Sequence, residues 1–193
     1  MAQYFDNVDL PSNIEEFSVK FYGVDYKFKT DNGVFSKGRI DFGTKFLLDT
    51  LPLKDIKGDI LDVGCGYGVI SIILGKILEV EVDGVDVNKR ALHLGEMNKK
   101  LNNVYNVNFF ISDVYENVDK KYDTIITNPP IRAGKEVVYK IFDEAKDHLK
   151  ENGSLYIVIR KEQGAKSAIE HLKTMYNVEV LDKKSGYFVI KCN

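Results

Sequence analysis

Apolar residues along the chain change their spacing several times, and each change marks an element. From Glu15 to Phe35 they alternate with polar ones. Phe17, Val19 and Phe21 share one face, Tyr26 and Phe28 belong to a second short run, and Gly23 and Asp31-Asn32-Gly33 supply turns. Period-two alternation bounded by such turns predicts a β-hairpin. Its aromatic residues can stack on nucleic-acid bases or cover a sheet edge, and covering is the simpler role. Residues 1–14, with Pro11 and little periodicity, read as a loose arm. Lys45 to Leu51 reads as a helix stopped before Pro52, with Asp41 or Thr44 available as its cap.

From Ile60 onward, short apolar runs alternate with amphipathic ones. Strands are predicted at 60–63, 81–88, 107–111, 122–127 and 153–160, and helices at 69–78, 89–102, 136–149 and 165–176. Two last strands, near 178–181 and 187–191, flank a turn at Lys183-Lys184-Ser185-Gly186. Strands alternating with helices give an α/β fold with a mainly parallel sheet, closed by an antiparallel pair.

Composition narrows the setting. With 193 residues, 44% hydrophobic and 29% charged, the chain is one soluble domain with a small appendage. We divide it into an arm and hairpin at 1–35 and a main domain at 36–193. No apolar run nears the roughly 20 residues that span a bilayer, and Asp6 and Asp9 stand where a secretory signal would be apolar. Cys65 and Cys192 lie far apart and form no metal-ligand spacing, which points to the cytoplasm and to no metal. A net charge of −2 means that any RNA contact must rest on a local patch, for which Lys37 and Arg39 are the nearest pair. His93, His148 and His171 fall in predicted helices and share no motif.

Chemistry concentrates at three strand ends. After the strand at 60–63 stands Asp62-x-Gly64-x-Gly66-x-Gly68, a tight turn opening into a helix. Glycines let backbone approach a ligand, and the helix start offers unpaired N–H groups. The dinucleotide fingerprint G-x-G-x-x-G does not fit, because its last position falls on Val69 or Ser71. The next strand ends on Asp86, whose carboxylate can accept both hydroxyls of a ribose diol. The strand at 122–127 runs into Asn128-Pro129-Pro130. An amine on an aromatic ring or carbonyl is a poor nucleophile, since its lone pair is delocalised. Two acceptors aimed at its N–H bonds favour the geometry of attack. The Asn128 side-chain oxygen and the Pro129 carbonyl are candidates, fixed by the restricted backbone of the two prolines.

These motifs, in this order, resemble the class I S-adenosylmethionine (SAM)-dependent methyltransferases. The resemblance implies a Rossmann-like, doubly wound, seven-stranded and mostly parallel sheet with an antiparallel C-terminal hairpin strand, plus the small N-terminal β-hairpin unit. It implies SAM as cofactor, held by Asp62, Gly64, Gly66 and Gly68, by Asp86 with Val87 at the ribose, and by Asp113 with Val114 at the adenine. Asn128 also borders the cofactor. Thr44 either meets the methionine carboxylate or only caps its helix. The sulfonium methyl needs no acid activation, and no strong base appears.

In that family Asn-Pro-Pro marks methyl transfer to planar nitrogens, so Asn128, Pro129 and Pro130 carry catalysis. An aspartate at position 128 would keep an acceptor oxygen and should retain more activity than alanine. With Gly33-Val34-Phe35-Ser36 and Asp41-Phe42-Gly43-Thr44 upstream, residues 15–193 resemble the small-subunit ribosomal RNA guanine-N2 methyltransferases, in a single-domain archaeal-type form. The implied partner is ribosomal RNA or the small ribosomal subunit, met by Phe35, Lys37, Arg39, Ile131 and Arg132. The family usually has an aromatic residue where Ile131 stands, which leaves the target base open. A protein glutamine methyltransferase of the release-factor type, a small-molecule N-methyltransferase and a non-catalytic SAM-binding module are the alternatives.

Overall fold

The computed structural model describes residues 11–193. Its first elements are β1 (Glu15–Phe21) and β2 (Val24–Thr30), an antiparallel pair in which Phe17 faces Phe28 and Val19 faces Tyr26. This is the predicted hairpin, and its aromatics cover a core. Phe21, Tyr26 and Phe28 are buried among helix residues, so they are not free to stack on bases. The loose arm is corrected in part. Residues 1–10 lie outside the described residues, but 11–14 are tied down: Ser12 Oγ donates to Asp31 (2.8 Å) and Asn32 Nδ2 donates to the Pro11 carbonyl (2.8 Å).

Helix α1 (Phe42–Thr50) starts three residues before the predicted position, because Asp41 caps it by accepting the Thr44 N–H at 3.1 Å. The main sheet then follows, with β3 (Ile60–Val63), α2 (Val69–Leu78), β4 (Val82–Asp86), α3 (Lys89–Leu101), β5 (Val107–Ile111), β6 (Tyr122–Thr127) and α4 (Lys135–His148). It closes with β7 (Leu149–Arg160), α5 (Ala165–Leu172), β8 (Val178–Lys184) and β9 (Tyr187–Cys192). The seven strands run β5-β4-β3-β6-β7-β9-β8, with β9 antiparallel to both β7 and β8. This is the expected Rossmann-like sheet. Two apolar clusters cover its faces, one with α1, α2, α3 and the hairpin, the other with α4 and α5.

Three boundaries differ from the sequence pattern for local reasons. β7 begins at Leu149, which pairs with Tyr122 before the register slips and the regular ladder resumes at Ser154. α5 stops at Leu172; Lys173 to Tyr176 continue as turns, with Thr174 Oγ1 donating to the His171 carbonyl at 2.7 Å. β8 extends through Lys183 and Lys184, leaving Ser185-Gly186 as a two-residue turn with both φ positive. An edge strand tolerates such lysines, which sit in solvent and discourage pairing with another chain.

The hairpin is fastened by two asparagines four residues apart, at the C-terminal end of α3. Asn98 Oδ1 and Nδ2 bond the Lys29 N–H and carbonyl (2.7 and 3.0 Å), and Asn102 does the same for Lys27 (3.0 and 2.7 Å). Each amide therefore acts as one more rung on the free edge of β2. At about 0.5–1.5 kcal/mol per bond, the four together add appreciably to hairpin docking. Asn98 also donates to the Tyr67 carbonyl (3.0 Å), which connects the hairpin to the glycine turn.

Strand order puts the site where open α/β sheets bind ligands. From β3 the chain moves outward to β4 and β5, then returns to the other side of β3 as β6. Between β3 and β6 lies the switch point, at the carboxyl ends of parallel strands. Val63 pairs with Thr127, and Thr127 Oγ1 donates to the Val63 carbonyl at 2.9 Å. The glycine turn and Asn128 consequently leave the sheet side by side.

Candidate active site

A cavity of about 880 Å³ opens at this switch point. Its wall includes Gly64, Gly66, Asp86, Val87, Asp113, Val114 and Thr44, and also Asn128, Pro129, Pro130, Ile131, Arg132 and Phe35. Asp62, Gly68, Lys37 and Arg39 are not on its wall. The volume is in the range of about 300–1,000 Å³ that holds small ligands and cofactors.

The glycines have separate duties. Gly66 has φ +55, and a Cβ built there would meet nothing within 4 Å, so its bare backbone faces open cavity. A Cβ at Gly64 would meet only Pro130 Cδ, at 3.7 Å. Gly68, the N-cap of α2 at φ +88, serves packing instead: a Cβ would lie 2.5 Å from Phe109 Cζ. The first two let a ligand approach the turn, whereas the third lets the turn approach Phe109.

Asp86 joins turn and strand. Its Oδ2 accepts the Gly66 N–H (2.9 Å) and its Oδ1 the Asn88 N–H (2.9 Å). Burial raises its proton affinity above the usual carboxylate range, and those two amides oppose the shift. Each oxygen keeps a second lone pair, which suits a diol. Asn88, absent from the sequence expectation, caps α3 and donates to the Gly33 carbonyl (3.0 Å), drawing the 33–36 segment over the cavity.

Asp62 stands behind the turn. Its Oδ2 accepts from Ser71 N (3.1 Å) and Ser71 Oγ (2.6 Å), while its buried Oδ1 has no partner among the described residues. Burial raises its pKa from 3.8 to about 7. Between those values the folded chain holds a proton that the unfolded chain has lost, so this group's contribution is full below about pH 4 and is lost as pH rises through 7. Asp62→Asn keeps the acceptor for Ser71 and is neutral throughout. Thermal melts should therefore show the variant gaining on the wild type between pH 5 and pH 8. A difference that does not change with pH would mean that Asp62 is ionised in the fold throughout.

At the exit of β5, Val114 adopts φ +56, a strained conformation for a β-branched residue, with its side chain buried on the cavity wall. The exposed Asp113 sits beside it at the rim, 4.0 Å from Lys140. A cavity of this volume, a carboxylate with two lone pairs left over, a side-chain-free turn and an apolar wall fit the expected cofactor.

Asn128 lines the same cavity. Its Nδ2 donates to Thr44 Oγ1 (2.9 Å) and approaches Asp41 Oδ1 and Oδ2 (3.2 and 3.4 Å). Oδ1 makes no hydrogen bond to a described residue. The Pro129 carbonyl accepts the Ile131 N–H (2.8 Å) around a tight turn at Pro130 (φ −74, ψ 78), which leaves it one lone pair. Asp41 thus caps α1, and Thr44 uses its hydroxyl on Asn128.

Of the expected substrate residues, Phe35 is 52% exposed and Arg132 is also exposed, both at the cavity. Ile131 is half-buried on its wall. Arg39 is exposed outside it, and Lys37 is committed to Glu15 (2.9 Å) and to Asn32 Oδ1 (2.8 Å). Sequence reading missed Tyr187 and Gln163, which reach the cavity from β9 and from the turn after β7. Tyr187 stacks obliquely on Phe42, ring centres 5.1 Å apart, and lies under the Arg160 guanidinium at 5.7 Å.

Residues 25–191 match the family described as Methyltransferase small domain. An uncharacterized protein of Bacillus subtilis is 43% identical over 192 residues, covering 97% of this chain and 96% of its own length. Ribosomal RNA small subunit methyltransferase C of Psychromonas ingrahamii is 33% identical over 165 residues, 83% of this chain and 46% of the relative. The solved T. thermophilus 16S rRNA N2 methyltransferase, in complex with AdoMet and guanosine, superposes with a TM-score of 0.85 at 26% identity. That match covers 95% of this chain and 51% of the solved one. The chain thus spans about half the length of these two rRNA methyltransferases.

Proposed function

Since the chain belongs to the methyltransferase small-domain family and is a SAM-dependent methyltransferase, we propose that it methylates a planar exocyclic nitrogen, foremost the guanine N2 amine of ribosomal RNA. The observation that carries this reading is the free side-chain oxygen of Asn128, set beside the glycine turn with its amide nitrogen already committed to Thr44 and Asp41. A free acceptor next to the cofactor cavity is what an amine needs and what a binding-only module does not.

Bound SAM supplies an electrophilic methyl group on a sulfonium. The chain's part is to hold and orient. Asp86 would take the ribose hydroxyls, Gly64 and Gly66 would admit the cofactor against bare backbone, and Asp113 and Val114 would border the adenine. Asn128 Oδ1 and the remaining lone pair of Pro129 would accept the two amine N–H bonds and steady the pyramidal form reached during attack. Thr44 Oγ1 accepts from Asn128, and its own proton has no described partner, which leaves it for the methionine carboxylate. RNA as acceptor is supported by the two rRNA methyltransferase relatives, and it carries a cytoplasmic location and an unpaired or flipped target base with it. Among the described residues no helix is long and apolar enough to cross a membrane.

Mass spectrometry of ribosomal RNA nucleosides, with and without the gene, tests the acceptor: N2-methylguanosine should fall at one position. An unchanged nucleoside profile would move the search to other planar nitrogens. RNA contacts should come from Arg39 and Arg132 rather than from Lys37, whose charge is paired with Glu15. Neutralising either arginine should flatten the salt dependence of RNA binding by about one counterion per lost phosphate contact, and Lys37→Ala should change it less. Slopes unchanged from the wild type in all three variants would place RNA elsewhere on the surface.

A further inference from the structure

We propose that Asp41 is a positioning residue for methyl transfer: its carboxylate fixes which end of the Asn128 amide faces the acceptor. The proposal rests on the reading of Asn128 as the acceptor of the target amine's hydrogen bond. An asparagine side chain can rotate by half a turn and exchange its oxygen and nitrogen with little change of shape. Only its surroundings decide which way it points. Here three oxygens surround one end of the Asn128 amide: Thr44 Oγ1 at 2.9 Å and Asp41 Oδ1 and Oδ2 at 3.2 and 3.4 Å. A carboxylate only accepts, so the end facing it must be the N–H₂. The oxygen is thereby turned the other way, with no described partner, on a residue that lines the cavity.

Asp41 is itself held by hydrogen bonding. Its Oδ1 accepts the Thr44 N–H at 3.1 Å as the α1 cap. A cap alone would not require α1 to approach the end of β6 this closely. Gly43 permits that approach: a Cβ there would stand 3.0 Å from Asp41 Oδ1, 3.1 Å from Tyr187 Cε1 and 3.5 Å from Asn128 Nδ2. Helix cap, small residue and catalytic asparagine thus meet at one point from positions more than 80 residues apart.

The arrangement reverses the expectation that Asn128→Asp is the mild replacement. It would set two carboxylates against each other with no N–H between them, and like charges at this separation repel. Moving the amide to the other partner should repair the damage. In the double swap, Asp41→Asn with Asn128→Asp, the amide now at position 41 can donate to one oxygen of the carboxylate now at position 128. The second oxygen is left for the target amine.

Four variants decide it: D41N, N128D, the double swap and N128A, each assayed for single-turnover methyl transfer from SAM to ribosomal RNA and for SAM affinity by calorimetry. D41N should slow transfer roughly ten- to a hundredfold with SAM affinity nearly unchanged, because the amide loses its fixed direction. N128D should be about as slow as N128A, and the swap should recover at least roughly tenfold over N128D. A swap no faster than N128D, or a D41N enzyme with full rate, would leave Asp41 as a helix cap only. Thermal melts of the same set separate this from the parent reading. If N128D loses stability, the swap regains it, and N128A still transfers at the wild-type rate, then the pairing stands and the role given to Asn128 is wrong. If neither stability nor rate couples between positions 41 and 128, the pairing itself is wrong.

Discussion

Replacing Asn128 by alanine is expected to slow single-turnover methyl transfer by roughly a hundred- to a thousandfold while SAM affinity changes little. One pre-organised contact made chiefly in the transition state is typically worth about 2.7–4 kcal/mol. Asn128 has the position for such a contact, since its nitrogen is committed and its oxygen is not. The loop should survive the change. Pro129 and Pro130 restrict the backbone themselves, the Pro129 and Pro130 carbonyls accept from Ile131 and Ala133 (both 2.8 Å), and Thr127 stays bonded to Val63. What alanine leaves behind is Asp41 and Thr44 without their donor, a local cost that melts will register and SAM affinity should not. Near-wild-type transfer by a folded alanine variant would make Asn128 a strand-terminating residue, and the nitrogen-methylation reading would lose its support.

The sequence was most legible where strand ends repeat a local pattern. Short apolar runs mark β3 and β6 because both are buried along nearly their whole length, the less buried runs of β4 and the edge strand β5 are legible beside them, and the residues that follow these strands in the chain follow them in space. The sequence alone therefore places Asp86, Asp113 and Asn128 on one rim. Contacts that depend on how distant elements pack were not legible. Nothing near Asp41 announces that its carboxylate will meet an amide 87 residues later. Tyr187 reaches the cavity only because β9 inserts between β7 and β8. The glycine pattern, read as one ligand-binding unit, divides between a ligand side at Gly64 and Gly66 and a packing side at Gly68, and the partner of Gly68 is Phe109 on another strand. Asp62 turns inward for the same kind of reason: Ser71, one turn into α2, offers both an N–H and a hydroxyl.

Removing the Asp86 carboxylate should weaken SAM binding at least roughly tenfold, which corresponds to about 1.4 kcal/mol. Hydrogen bonds to a charged acceptor are worth about 1.5–3 kcal/mol each, and a ribose diol can make two, so tenfold is a lower bound. Asp86→Ala also strips the Gly66 and Asn88 amides of their acceptor, so the glycine turn should loosen and the melting temperature fall. Asp86→Asn tests the charge more cleanly but cannot be silent: its N–H₂ end must face either the Gly66 or the Asn88 N–H, donor against donor. Proton affinity supplies an independent check. Burial holds the Asp86 carboxyl above its ordinary 3.8, and a diol that donates twice prefers the ionised form. SAM affinity should therefore fall as pH is lowered through that raised value, and in Asp86→Ala this part of the pH dependence should vanish. Calorimetry of both proteins across the acidic range measures affinity and its pH dependence together. If the alanine variant binds SAM as tightly as the wild type and with the same pH dependence, Asp86 only braces the turn and the ribose is held elsewhere.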